Sequence, residues 1–244
     1  KQGTLKKSFN QNPENLRIIC NAEVDRLLMN GAQAKGAIVR VAGSKGNVEK
    51  QIRAKNVIMA AGAIHTPAIL LRSGLKHQEL GKNLFFHPTV GVAARYDDRI
   101  EPWKGPMMTT VVKDNLRLDG NYGYWIETPP VHPGIIAMTL PWRSRQQHKE
   151  DFTMAGNCGA FIVLTRDKYG GKVAVDKNGL PEISYRMKSY DLSHSLKGMQ
   201  MAAEIHLAAG AKEVLFPHRT RKAVDSTMSE AQRKKVYKYM TSWR

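Results

Sequence analysis

The chain has 244 residues, enough to bury one large core or two smaller ones, and its 42% hydrophobic and 24% charged residues exclude a disordered or fibrous protein. No apolar run approaches the ~18 residues of a membrane-spanning helix. A formal charge of +17 favours nucleic acid, anionic lipid or an acidic partner. The basic residues are dispersed, however, and cluster only at Arg219-Thr220-Arg221-Lys222 and Arg233-Lys234-Lys235, neither interleaved with aromatics as a stacking platform requires. A solvated basic face is therefore the expected reading.

The start, Lys1-Gln2-Gly3-Thr4, has no Met and no charged-then-apolar leader, so the chain reads as an internal piece of a longer protein. Cys20 and Cys158 fit no metal spacing and no disulfide framework. They read as two buried reduced thiols, which favours a reducing compartment.

In chain order, Leu16–Cys20, Val24–Met29, Ala37–Val41 and Gln51–Ala54 read as successive strands of an antiparallel meander, with a turn at Asn30-Gly31 and another at Gly43–Gly46. The run Asn56–Gly62 is apolar throughout, as a strand buried on both faces of a parallel sheet would be. It ends in Ala60-Ala61-Gly62-Ala63, where small residues let a ligand or another backbone approach. Thr66 is expected to cap a short helix, with Pro67 at its first position and Gly74 closing it.

Residues 102–141 are rich in Pro, Gly and Trp and predict long loops with a few strands, among them Tyr122–Ile126. Phe161–Leu164 predicts a strand. Lys172–Val175 and Glu182–Tyr185, flanking turn residues, predict a hairpin. Asp191 is expected to cap a long helix with a stripe of Leu192, Leu196, Met199, Ala203 and Leu207, ended by Gly210. Ser229-Glu230-Ala231-Gln232 has capping-box spacing and opens a basic helix through Met240.

The segment from Gly62 to Leu75, with Thr66-Pro67, Leu70-Leu71 and Ser73-Gly74-Leu75, resembles the second sequence motif of the glucose–methanol–choline oxidoreductases. Lys76 stands where that motif usually closes on a further Gly. Leu80-Gly81-Lys82-Asn83-Leu84 and His87-Pro88 follow in the family's order. Asn21-Ala22-Glu23-Val24 is similar to the strand whose valine backbone meets the flavin adenine. The resemblance is close over residues 1–95 and weaker afterwards, where Pro181–Tyr185, Asp191, a long helix and Ala209-Gly210-Ala211 follow in order. Within the family it is most like the long-chain alcohol oxidases.

The resemblance implies a mixed α/β and α+β fold: part of an FAD-binding, Rossmann-like domain over residues 1–100, then a substrate domain of mostly antiparallel sheet over 101–244. It implies FAD as cofactor, with Val24, Ala60, Ala61 and Gly62 walling its adenosine half. It also implies oxidation of a lipophilic primary alcohol to an aldehyde by hydride transfer to flavin, peripheral membrane contact, no specific nucleic acid, and an intracellular, membrane-associated or peroxisomal location. Trp103, Met107, Met108, Tyr124 and Trp125 are candidates for an apolar channel, against the simpler reading that each is core.

The family's Gly-x-Gly-x-x-Gly phosphate turn has no counterpart here. Its catalytic histidine region would follow Arg244. None of the eight histidines is therefore assigned to catalysis, and no residues are assigned to a metal. Two other readings stay open: a basic module for nucleic acid or anionic membrane on an unrelated α/β fold, and an inactive structural relative.

Overall fold

A computed structural model describes residues 11, 14–43, 46–106, 108–139, 142, 144–218 and 222–241. The chain forms two compact units, Lys1–Leu84 with Gly171–Tyr185, and Phe85–Gly170 with Arg186–Arg244.

The first unit opens with the expected meander: β1 (Ala22–Asn30), β2 (Gln33–Gly43) and β3 (Gly46–Arg53), all antiparallel. Gly31-Ala32 forms the tight turn between β1 and β2. The register of β1 against β2 jumps between Val24 and Arg26, so Asp25 is an extra, bulged residue whose side chain is buried. The half-exposed strand expected at 51–54 forms the end of β3, which stops at Arg53 and is exposed at every residue.

Two expected strands are absent. Residues 16–20 have no regular structure, and Ile18 and Ile19 are exposed. Residues 56–60 are likewise irregular, and Ile58 is 89% exposed. The pattern of an apolar run names a buried strand only where neighbouring strands supply hydrogen bonds. Among the described residues every paired strand is antiparallel, and none pairs with 56–60.

Helix α1 runs Gly62–Arg72, four residues earlier than the expected cap at Thr66, and Pro67 lies inside it. Thr66 does not cap the next turn; its hydroxyl accepts from the Ala61 N–H at 3.1 Å, reaching back over the helix start. The Ser73 and Gly74 N–H groups close the far end on Ile69 and Leu71 carbonyls, and Gly74 takes φ +76°. Ala68 packs with Leu84 and Val173 in a small buried cluster.

The hairpin β8 (Lys172–Val175) and β9 (Pro181–Ser184) forms as expected. It belongs to the first unit, because Leu84 and Gly171 exchange backbone hydrogen bonds and Val173 N–H donates to Gly81 at 2.6 Å. A Cβ on Gly81 would lie 2.2 Å from the Val173 carbonyl oxygen, so only glycine admits this approach.

The second unit is a six-stranded antiparallel sheet in the order β11 (Lys222–Asp225), β10 (Glu213–Phe216), β4 (Thr89–Arg95), β7 (Cys158–Thr165), β6 (Tyr124–Glu127), β5 (Val111–Val112). The expected boundary at 100/101 falls inside this unit. It fails because β4, at 89–95, pairs with β7 and β10. A short helix, α2 (Pro133–Thr139), interrupts the stretch 102–141 read as loops and strands, and α3 (Arg145–Thr153) and a 3-10 turn follow it before β7.

Helix α4 (Ser189–Ala208) lies on one sheet face and ends before Gly210, at φ +92°. It begins two residues before Asp191, which therefore sits in the first turn; its carboxylate accepts the Lys168 N–H at 2.8 Å. Of the expected stripe, Leu192 is exposed and Leu207 is partly buried against the core. Leu196, Met199, Ala202, Ala203 and His206 form the buried stripe, against Val92, Tyr124, Ile126, Val163 and Val214. Each such aliphatic burial contributes about 1.5–3 kcal/mol. Ser229 and Gln232 form a reciprocal capping box that starts α5 (Glu230–Thr241), and α5 inserts Tyr237 and Met240 into the same core.

Candidate functional site

The amino end of α1 is assembled from residues with almost no side chain. Ala60, Ala61 and Gly62 are exposed, and Gly62 takes φ +82° with open space where a Cβ would stand. The Ala61 cap position has no side-chain hydrogen bond to the helix, and the first turn carries no acid. Helix N–H groups and the positive end of the helix dipole thus face outward, an arrangement that favours an acceptor-rich or anionic group.

The carboxyl end of α1 is locked. Arg72 donates from Nε to the Asp25 carbonyl at 2.7 Å and from Nη1 to the Gly179 carbonyl at 2.8 Å, and Nη2 reaches the Val24 carbonyl at 3.4 Å. Arg26 and Arg40 pair with the buried Asp25 carboxylate, and Arg72 Nε lies 3.8 Å from it. The Leu27 N–H donates to Ser73 Oγ at 2.8 Å, adding a second tie to β1. One bulged aspartate and one helix-end arginine therefore fix α1, β1 and the β8–β9 hairpin to one another.

Val24, Ala60, Ala61 and Gly62 were read as one wall. They are not brought into one pocket by these contacts. Val24 meets the Arg72 end of α1, whereas Ala60 to Gly62 form its other end, about 15 Å away along an eleven-residue helix at 1.5 Å per residue.

In the second unit, strand alternation divides the sheet into two faces. Val92, Val163, Tyr124 and Ile126 point to α4. The opposite face carries Gly91, Ala93 and Ala160 at its centre, bordered by Ile162, Leu164, Trp125 and Leu215. A Cβ on Gly91 would meet nothing within 4 Å, so the middle of this face is open. Arg95 and Glu127 stand at its margins.

The channel candidates divide accordingly. Tyr124 is core, packed under α4, and Trp125 lies on the opposite face. Trp103 is half-buried and Met108 is exposed. Met107 lies outside the described residues.

The histidines of α4 are both buried, but only one is fully satisfied. His206 Nε2 faces the Val92 carbonyl at 3.3 Å, and its ring stacks on Phe161. Burial pushes its pKa down to about 4. His194 has no partner for Nδ1; burial, then the charge of Lys197, lowers its pKa. His65 and His87 are exposed, and His132 Nδ1 accepts the Gly134 N–H. No group of three or more metal-binding side chains exists among the described residues.

The cysteines depart from expectation: Cys20 is exposed and Cys158 is only partly buried. Burial raises the Cys158 thiol pKa. Of the basic clusters, Arg219 to Arg221 lie outside the described residues. Arg233 and Lys234 are ion-paired to Glu204 and Glu230 on the surface of α4 and α5. Asp25 and Arg72 were missed because nothing local marks them; only the position of Arg72 just before Ser73-Gly74 hints at a helix-end role.

Residues 1–89 match the family model described as GMC oxidoreductase. The long-chain-alcohol oxidase FAO3 of Arabidopsis thaliana is 29% identical over 210 residues, covering 80% of this chain and 28% of that protein. An uncharacterized GMC-type oxidoreductase, Rv0492c of Mycobacterium tuberculosis (strain ATCC 25618 / H37Rv), is 32% identical over 205 residues, 82% of this chain and 30% of that protein. The chain thus spans less than a third of the length of these curated relatives. An FAD-dependent oxidoreductase from Chaetomium thermophilum shares the fold, with a TM-score of 0.55 at 16% identity over 95% of this chain and 51% of that one. The family motifs lie in order around α1, the GMC oxidoreductase model covers them over residues 1–89, and GMC-type relatives align through both units.

Proposed function

We propose that the chain serves within an FAD-dependent alcohol oxidoreductase that converts a long-chain primary alcohol to its aldehyde. The observation that carries this reading is the family match over residues 1–89, which includes the open, side-chain-poor end of α1. When bound, FAD supplies the acceptor for the hydride leaving the carbinol carbon.

The residues present fit such a group in one definite way. Ala60, Ala61 and Gly62 admit close approach, and the outward N–H groups at the start of α1 suit its acceptor-rich atoms. Val24 is assigned to the adenosine half by resemblance, at the other end of α1. The exposed run 56–61 would pair as a parallel strand of an FAD-binding sheet, which completes the Rossmann-like reading. The open sheet face around Gly91, Ala93 and Ala160 would be the floor for the substrate: apolar, free of charge at its centre, and shaped to lie along an aliphatic chain. The names of the Arabidopsis relatives support the long-chain class.

Two preparations test this. The complete polypeptide encoded by the source transcript should carry a flavin absorbance band and form aldehyde from dodecanol. The 244-residue chain alone should bind FAD poorly, because no Gly-x-Gly-x-x-Gly turn is present to hold the pyrophosphate. A complete polypeptide without flavin, or one that reduces flavin with no primary alcohol, would overturn the proposal.

A further inference from the structure

A strip of surface along α4 in the second unit combines cations with exposed apolar side chains. At its amino end, Lys168 Nζ stands over the rings of Tyr190, Tyr122 and Tyr169 at 4.9, 5.6 and 5.9 Å, and the Arg166 guanidinium lies 5.7 Å from Tyr122. Tyr190 donates its hydroxyl to Asp119 at 2.8 Å, which ties in the loop carrying Leu118. Leu118, Lys197 and Met201 then line an open groove of about 530 Å³ with Glu204, Arg233 and Lys234. Leu118 is 39% exposed, Met201 38% and Tyr169 43%.

The carboxylates on this strip are already engaged. Glu204 takes Arg233 and Tyr237, Glu230 takes Lys234, and Asp119 takes Tyr190. Arg166, Lys168, Lys197, Arg233 and Lys234 outnumber Asp119, Glu204 and Glu230, so the strip keeps a positive surplus beside its apolar side chains.

We infer that this α4–α5 face docks on an anionic lipid surface. Aliphatic side chains between lysines suit the boundary of headgroup and acyl chain, and the positive surplus suits acidic headgroups. Single-stranded nucleic acid is the other polyanion to weigh, and it needs open aromatic faces. Here Tyr122 and Tyr169 meet Tyr190 edge to face, at 84° and 89°, and all three rings are turned to Lys168. Rings set perpendicular to their neighbour do not offer the row of parallel faces on which successive bases stack, whereas Leu118 and Met201 are available to lipid. This inference is independent of the redox chemistry proposed above.

The 244-residue chain is sedimented with vesicles of phosphatidylcholine alone and with about 30 mol % phosphatidylserine, at about 0.15 M salt where diffuse attraction is screened beyond ~8 Å. Binding is expected only with phosphatidylserine. The double variant Lys197→Glu/Met201→Glu should lose about tenfold or more in partitioning, since it removes both attractions at one place. The control Lys50→Glu/Lys172→Glu lowers net charge further on exposed residues of the first unit and should bind as the parent does. Circular dichroism melts show whether each variant is folded, and Lys197→Gln replaces the first variant if it is not, with a smaller loss in the same direction. Equal losses in strip and control variants, equal binding to neutral vesicles, or tight binding of single-stranded DNA without vesicle binding would each overturn the inference.

Discussion

The Tyr96 hydroxyl donates a hydrogen bond to Nδ1 of His206, 2.8 Å away in the core of the second unit. The direction is fixed by the other nitrogen. Nε2 faces the Val92 carbonyl, which only accepts, so Nε2 carries the proton and Nδ1 is the acceptor. The neutral imidazole thus has a partner at both nitrogens.

Stability should therefore fall on mild acidification. Burial lowers the folded pKa of His206 to about 4 from 6.5, so between these values the unfolded chain binds the proton and the folded chain does not. The contribution is fully present above about pH 6.5, declines as pH falls towards 4, and amounts to roughly 3 kcal/mol across the window. Urea unfolding at several pH values should show this slope, and His206→Phe should flatten it. Tyr96→Phe should cost about 1–2 kcal/mol at pH 7 by leaving Nδ1 without its donor.

At Gly198, α4 packs closely on the sheet. A Cβ there would lie 2.3 Å from Val163 Cγ1 and 3.0 Å from the Tyr124 ring. Gly198→Ala gains up to about 1 kcal/mol of helix propensity but forces apart a packed layer, at a typical cost of 1–3 kcal/mol. The overpacking should win, lowering the thermal midpoint, and Val163→Ala should partly rescue it in a double-mutant cycle. A higher midpoint for Gly198→Ala alone would mean the helix can rise freely off the sheet.

Arg72→Ala should loosen the first unit by about 3–5 kcal/mol, as it strips a partner from the buried Asp25 and frees the Gly179 and Asp25 carbonyls. Arg72→Lys should not restore it, because one ammonium lacks the planar fork that reaches separate acceptors. Amide exchange in residues 171–185 should accelerate in both variants, ahead of exchange in the second unit. Unchanged protection of that hairpin would show that Arg72 does not hold it.

The capping box gives a milder case. Ser229→Ala removes an acceptor from the Gln232 N–H and should destabilise α5 by about 1 kcal/mol. The loss should be cooperative with the second unit, because Met240 and Tyr237 on that helix are core residues. A melt of the variant that leaves the tyrosine environment unchanged would separate α5 from the core.

Some elements were legible because their determinants are local. The 172–184 hairpin, the Ser229 box and the Gly210 stop each depend on a few adjacent residues and stand as expected, and the turn expected at Asn30-Gly31 forms one residue later, at Gly31-Ala32. The family motifs were legible for the same reason, as short ordered strings around Thr66-Pro67 and Ser73-Gly74. The helix starts at Thr66 and Asp191 were misplaced because both side chains found other partners: the Ala61 N–H and the Lys168 N–H.

By itself, then, the sequence carried the family resemblance in its ordered motifs, and it determined the strands β1 to β3, the hairpin and the existence of the long helix through local periodicity and turn chemistry. Tertiary structure alone decided the rest. It drew the 171–185 hairpin into the first unit, surrounded a bulged aspartate with three arginines, and gathered three tyrosines from separate segments around Lys168. It also left the run 56–60 outside any strand, with Ile58 exposed. Such contacts join residues up to about a hundred positions apart, and an apolar or charged side chain carries no local mark of which distant partner will meet it.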